Sequence, residues 1–223
     1  MISNLVSFLL LKIKLKGKCK FYFSSHIKYD SLFEGMNMVH RNAYFSGRLG
    51  YGSYIGNNCH LSADIGRFCS IAPHVCSNGG THPISLPFAT TAPCFYSLNP
   101  QKVQNGGTFA KRQMFSEKRK IDAQHRVDVK IGNDCWIGDG AFLVGGISIG
   151  DGVVVLAHSV VTKNVPDYAI VGGVPARIIK YRYDEATIAF LKEIQWWNNS
   201  VEWFKEHWEL LTDVDKLKMY YKN

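Results

Sequence analysis

A spacing of six governs the middle of this chain. From Ile131 the aliphatic positions run Ile131, Ile137, Leu143, Ile149, Val155 and Val161 without a miss. The residue after each reads Gly132, Gly138, Val144, Gly150, Leu156 and Thr162, and the fifth residue of each unit is mostly small or β-branched: Cys135, Ala141, Ile147, Val153, Ser159, Val165. An α-helix repeats every 3.6 residues or so and a strand every 2. Six fits neither. It suits short strands joined by turns, each unit sending one aliphatic side chain into a narrow axis. Gly138-Asp139-Gly140 and Gly150-Asp151-Gly152 then take the turn conformations. Chance periodicity in a Val/Ile-rich sheet is the competing reading, and the unbroken series with its glycines weighs against it.

An earlier block obeys the same rule. Leu49, Ile55 and Leu61 keep the spacing, with Gly50 and Gly56 following. The phase then slips by four residues to Ile65-Gly66 and on to Ile71-Ala72. Cys59, Cys69 and Cys135 are fifth-position residues, which makes them small packing groups and not nucleophiles. None of the six cysteines forms a C-x-x-C pair, and no His/Cys/carboxylate cluster has metal-ligand spacing, so no metal is expected. A dinucleotide fingerprint fails because position 143 is leucine where the third glycine belongs. No Walker A sequence and no nucleophile elbow is present.

The period disappears between about Cys76 and Lys130. That stretch holds Pro83, Pro87, Pro93 and Pro100, Gly106-Gly107, and a Lys111-to-Lys120 run with five basic residues and one acid. So long a structureless insertion is usually functional, and it reads as a loop excursion from one corner of the coil over about 77–130. After Pro175, Ile188, Leu191, Ile194 and Trp197 have helical spacing behind Asp184, an N-cap residue type. Val201, Phe204, Trp208 and Leu211 suggest a second helix, and these tryptophans read as core and end-capping groups. Three parts result: a basic, apolar N-terminal segment over 1–48 that caps the coil, the coil over 49–180, and a helical segment over 181–223.

Several motifs together resemble the hexapeptide-repeat acetyltransferases. These motifs are the repeat itself with its Trp136-Ile137-Gly138 opening, the Ile65-Gly66-Arg67-Phe68-Cys69-Ser70-Ile71-Ala72-Pro73 run, Gly80-Thr81-His82-Pro83, and Phe95-Tyr96-Ser97. Within that family they are similar both to the xenobiotic and streptogramin branch and to bacterial surface-polysaccharide O-acetyltransferases. The resemblance covers about residues 49–210. It implies an all-β fold, a left-handed parallel β-helix with a long loop excursion and C-terminal helices. It implies acetyl-CoA as donor and a homotrimer with active sites between subunits. It makes His82 the catalytic base; His125, which also lies in the excursion, is the runner-up on position alone. Its coenzyme A contacts fall on Asp139, Ala157, Thr162, Lys163, Arg177 and Lys180, partly through backbone and partly through charge. Val174-Pro175-Ala176 stands where the family most often has Asn-Pro-Ala. Taken alone, Lys163 and Arg177 could equally be solvated corners.

The chemistry suits a histidine. A hydroxyl attacking a thioester must lose a proton, and a neutral imidazole can take it and pass it to the leaving thiolate. The expected acceptor is a sugar hydroxyl in a surface polysaccharide or its precursor, because the excursion looks polar and basic and the N-terminal stretch exceeds a minimal drug-modifying enzyme. The alternatives are an antibiotic such as a streptogramin or chloramphenicol, an amino group on a nucleotide sugar, and a β-helix scaffold that has lost catalysis. Intact Thr81-His82-Pro83 and Thr162-Lys163 speak against the last.

The formal net charge is +8 over 223 residues. Residues 1–50 carry +6 of it, and five lysines crowd positions 12–20 directly behind the apolar Leu5-to-Leu11 run. The coil is only mildly basic, so nucleic acid is not an expected partner. The distribution points instead to peripheral contact between the N-terminal segment and an anionic membrane face. No stretch reaches the roughly 18–20 apolar residues of a membrane span, and no signal peptide pattern appears, so the chain reads as cytoplasmic.

Overall fold

The computed structural model describes residues 2–99, 106–121 and 127–222. Short strands wind into a prism with three faces. On the first face β1 (Cys19–Phe21), β4 (Asn37–Val39), β6 (Tyr54–Ile55), β8 (Ser70–Ile71), β11 (Trp136–Ile137), β14 (Val154–Val155) and β16 (Ala169–Gly173) hydrogen-bond in that order, all parallel. The second face stacks β2 (His26–Ile27), the first half of β5 (Tyr44–Leu49), the first half of β7 (His60–Ile65), β9 (Cys76–Asn78), β12 (Phe142–Val144) and β15 (Val160–Val161). The third stacks β3 (Leu32–Phe33), the second halves of β5 and β7, β10 (Val129–Ile131) and β13 (Ile147–Ile149). The whole is a left-handed parallel β-helix.

The period of six is the length of one side. Each of the six-spaced aliphatics from Leu49 to Val161 is 2% exposed or less. One such side chain buried from water contributes roughly 1.5–3 kcal/mol, and the column repeats it on every face. The phase slip also has a geometric cause. Ile131 pairs with Ile149, a coil of eighteen residues, whereas Leu49 pairs with Ile65, a coil of sixteen. In the short coils the turn between the second and third faces is absent, and β5 and β7 run straight across the edge. Gly47 and Ala63 meet at that bend, where a Cβ on Gly47 would lie 2.1 Å from the Ala63 carbonyl oxygen.

The glycines after the aliphatics form a column of their own. A Cβ at Gly50 would sit 2.4 Å from the Gly66 backbone, one at Gly66 2.6 Å from Gly132, and one at Gly132 2.7 Å from Gly150. Stacked backbones at about 4.8 Å leave no space for a side chain there. Two other columns carry left-handed residues: Asn42, Asn58, His74, Gly140 and His158 at one corner, and Met36, Gly52, Phe68, Asp134, Gly152 and Tyr168 at another.

The coil begins earlier than residue 49. Parallel pairing starts at Cys19, and Phe21, Ile27, Phe33, Val39 and Phe45 are buried at the same spacing of six. Aromatic side chains fill much of the first coils, and the glycine signature is missing from them, which hid the period. The lower end is capped by helix α1 (Ile2–Lys14), which buries Leu11 there, with Leu15 just beyond it.

At the other end β17 (Ala176–Tyr181) folds back antiparallel onto β16 and covers the sheet edge. The C-terminal helices therefore do not cap the coil, contrary to the end-capping expectation for the tryptophans, although Trp197 is buried as a core residue. Helices α2 (Glu185–Ile194), α3 (Val201–His207) and α4 (Val214–Lys222) lean along its side. Trp196 and Phe204 pack on Phe68 with ring centroids 5.2 and 5.0 Å away. Arg182 pairs with Asp134 at 2.8 Å and Lys192 with Asp167 at 2.6 Å. Asp184 is the N-cap of α2, accepting a hydrogen bond from the Thr187 N–H.

Candidate active site

The excursion leaves where β9 ends, at the corner between the second and third faces. Its two ends close on each other: the Arg119 N–H donates to the Gly79 carbonyl at 2.7 Å and the Thr81 N–H to the Glu117 carbonyl at 2.9 Å. Gly79 is required here, since a Cβ would lie 2.5 Å from the Arg119 carbonyl oxygen. This clasp projects His82 from the coil on a short, fixed stem.

His82 Nδ1 lies 2.9 Å from the Thr91 carbonyl oxygen and 2.7 Å from the Tyr96 hydroxyl. A carbonyl can only accept, so the ring proton must sit on Nδ1. The Tyr96 hydroxyl donates to the same carbonyl at 3.1 Å and offers its lone pair to Nδ1–H. Burial pushes the Tyr96 hydroxyl pKa up, which keeps it a donor. In the neutral ring of that tautomer Nε2 carries the free lone pair, on an exposed side chain, which is the form a general base needs.

Tyr96 is itself buried and immobilised. Its ring makes edge contacts with Phe88 and Phe115 at 5.9 and 5.7 Å. Below it, Glu117 accepts from the Ser97 hydroxyl at 2.5 Å, the Asn99 amide at 2.6 Å and the Gln113 amide at 3.3 Å. Burial alone would raise the Glu117 carboxyl pKa. These hydrogen bonds and the neighbouring His82 outweigh it and hold the group below its ordinary value.

A cleft of about 910 Å³ opens at the ring, lined among others by Thr81, His82, Met114, Phe115, Ser116 and Lys118. On the same excursion Phe95 and Phe109 stack at 5.4 Å, both largely exposed. The segment that looked polar in sequence is thus organised on aromatic rings.

The other expected site residues fall in three groups. Asp139 and Ala157 stack on successive coils at the corner between the first and second faces, where the His158 N–H donates to the Asp139 carbonyl. There the Asp139 carboxylate lies 3.0 Å from His74 Nδ1. Thr162 and Lys163 occupy the corner from which the excursion departs. Asn78 pairs with Val144 and Leu143 with Val161, so Thr162 follows one coil beyond Val144. The root of the His82 loop and Thr162 are therefore about 10 Å apart along the coil. Arg177 and Lys180 lie on β17, opposite Gly172 and Ile170. Ala157, Thr162, Lys163, Arg177 and Lys180 are exposed, and neither lysine nor Arg177 forms an ion pair among the described residues. His125 lies outside the described residues.

The sequence reading named no partner for His82. Thr91 acts through its carbonyl and leaves no mark on residue type. Glu117 had a signal, as the only acid in the Lys111-to-Lys120 run.

Residues 128–163 match the family model "Bacterial transferase hexapeptide (six repeats)". A chloramphenicol acetyltransferase from Morganella morganii is 35% identical over 210 residues, covering 86% of this chain and 91% of the relative. The chain belongs to the hexapeptide-repeat acetyltransferases. A galactoside O-acetyltransferase from Escherichia coli is 35% identical over 77 residues, 34% of this chain and 38% of that one. Among solved structures, the N-acyltransferase AntD from Bacillus cereus, in complex with dTDP and 3-hydroxybutyryl-CoA, superposes with a TM-score of 0.54 over 85% of this chain and 97% of that one, at 16% identity. As a member of this family the chain is an acetyltransferase that takes its acyl group from acetyl-CoA. Among the described residues no group of His, Cys, Asp and Glu is placed to hold a metal ion.

Proposed function

We propose that this hexapeptide-repeat acetyltransferase moves an acetyl group to a hydroxyl of a small amphiphilic molecule of the chloramphenicol kind, with His82 as general base. The observation that carries the reading is the Nδ1–H donated to the Thr91 carbonyl, which leaves the Nε2 lone pair of the neutral ring free on a residue that lines the cleft. Nε2 takes the acceptor's hydroxyl proton as the oxygen attacks the thioester carbonyl. The C–S bond then breaks, and the same proton goes to the departing coenzyme A thiolate. Met114, Phe115 and the Phe95–Phe109 stack favour an acceptor with an apolar body. The near full-length similarity to chloramphenicol acetyltransferases supports the same class.

A sugar hydroxyl is the second reading. It is favoured by the polar part of the cleft wall, Ser116 and Lys118, and by the partial similarity to a galactoside O-acetyltransferase. A thiol-release assay against chloramphenicol, a streptogramin and a panel of oligosaccharides separates the two. His82→Ala should lower turnover by roughly 10²–10⁴-fold while coenzyme A still binds. Near-normal turnover in that variant would remove the assignment.

The donor side is Asp139, Ala157, Thr162, Lys163, Arg177 and Lys180. These residues lie on three separate parts of the coil surface, which supports a homotrimer with the site between subunits. Chains carrying His82→Ala and chains carrying Lys163→Ala with Arg177→Ala, inactive apart, should regain activity when co-expressed. Failure to do so, with mixed assembly demonstrated, would place both halves of the site in one chain.

A further inference from the structure

Helix α1 has two apolar faces, and the fold uses one. Phe8, Leu11 and the following Leu15 turn toward the first coil. Leu11 and Leu15 are buried, and the Phe8 ring meets Phe21 and Phe23 edge-on at 5.4 and 5.2 Å. On the opposite side Leu5, Val6, Leu9 and Leu10 are each about half exposed and Ile13 is 75% exposed. At about 100° per residue these five occupy a continuous arc of roughly 140°. A capping helix needs only the first stripe, so the second is unexplained by folding.

Along the sequence, the helix and the turn after it carry charge of one sign. No acidic residue occurs before Asp30, while lysines stand at 12, 14, 16, 18, 20 and 28. Lys12 donates to the Phe21 carbonyl and lies over the Phe8 and Phe21 rings, and Lys14 folds onto Tyr29. Both are thereby held at the rim of the arc. Lys16, Lys18 and Lys20 are exposed, and among the described residues none of the five between 12 and 20 reaches a carboxylate. A second copy docking face to face would bring these cations together with nothing to offset them. No helix is long and apolar enough to cross a membrane among the described residues.

We infer that α1 is a docking face for an anionic lipid bilayer surface. The helix lies in the interface plane. The Leu5–Leu9–Ile13 stripe enters the boundary between headgroups and acyl chains to about 5–10 Å. Lys16, Lys18 and Lys20 meet lipid phosphates, each contributing roughly fivefold to partitioning. This inference stands apart from the acceptor assignment, since α1 contributes nothing to the His82 cleft.

Flotation of the full chain with vesicles tests it, comparing phosphatidylcholine alone with phosphatidylcholine plus phosphatidylglycerol. The wild-type chain should float with the mixed vesicles only, and high salt should release it. The Leu9→Glu/Ile13→Glu variant and the Lys16→Glu/Lys18→Glu/Lys20→Glu variant should each reduce binding by at least tenfold or so, with thiol release toward a dissolved acceptor unchanged. The inference is overturned if the wild-type chain ignores both vesicles, or binds them equally. It is also overturned if neither variant alters binding, or if Leu9→Glu/Ile13→Glu instead splits the assembly into smaller species in light scattering.

Discussion

At His82 the backbone selects the tautomer of the neutral ring. The Thr91 carbonyl accepts from Nδ1 and from the Tyr96 hydroxyl at once, so one oxygen fixes both the tautomer and the ring's rotation. Tyr96→Phe removes the shared hydroxyl but keeps the ring among Phe88 and Phe115. It should lower kcat by roughly tenfold with KM for acetyl-CoA unchanged, a split read by steady-state kinetics. Glu117 adds a pH dependence of known sign. Its carboxyl is held below the ordinary value of 4.5, so its hydrogen bonds to Ser97, Asn99 and Gln113 stabilise the excursion fully above that value and are lost as pH falls further. Limited proteolysis between residues 79 and 128 should accelerate as pH falls below 4.5. In Glu117→Gln the excursion should be cut faster at neutral pH and show a weaker acid response. His82 was legible from its setting in Gly80-Thr81-His82-Pro83. Its partner was not, because a carbonyl belongs to every residue and only the folded loop selects the one at Thr91.

Among the elements, the corner columns carry the least tolerance. Gly66→Ala forces a methyl to within 2.6 Å of the Gly132 carbonyl, a backbone group that cannot turn aside. We expect a cost of about 1–3 kcal/mol and a matching fall in Tm. Gly107→Ala meets nothing within 4 Å and should leave Tm unchanged, which makes it the control. Most of the coil was readable because one apolar side chain per six residues is a rigid requirement of its faces. The first coils escaped notice because Phe21, Phe33 and Phe45 satisfy the same requirement without the glycines that advertise it. The slip at Leu61 to Ile65 looked like an irregularity in one dimension. In three it is a strand passing an edge without a turn.

For the whole molecule, the helices brace the side of the coil, and Arg182 is the tie between the two. Its guanidinium reaches the Asp134 carboxylate at 2.8 Å and the Gly152 carbonyl at 2.9 Å, both part-buried. Arg182→Met leaves those acceptors unpaired and should cost about 2–3 kcal/mol by denaturant unfolding. The helical spacing after Pro175 announced these helices, but the stripe of Trp196, Trp197 and Phe204 could not say which surface it would cover. That is settled by Phe68, held in a left-handed conformation that turns its ring outward.

The corner between the second and third faces varies in length from coil to coil: no turn at Gly47, none at Ala63, a two-glycine turn at Gly145-Gly146, and an excursion of some fifty residues after Asn78. Strand stacking above and below is indifferent to what leaves there. The corner is thus a socket, and the loop that carries His82 a cassette plugged into it. Replacing residues 80–118 with the equivalent loop of a relative should transplant acceptor choice and leave the donor surface and the melting behaviour of the solenoid as they were. A lineage could change what it acetylates by exchanging one loop, without altering a single residue of the stacked column.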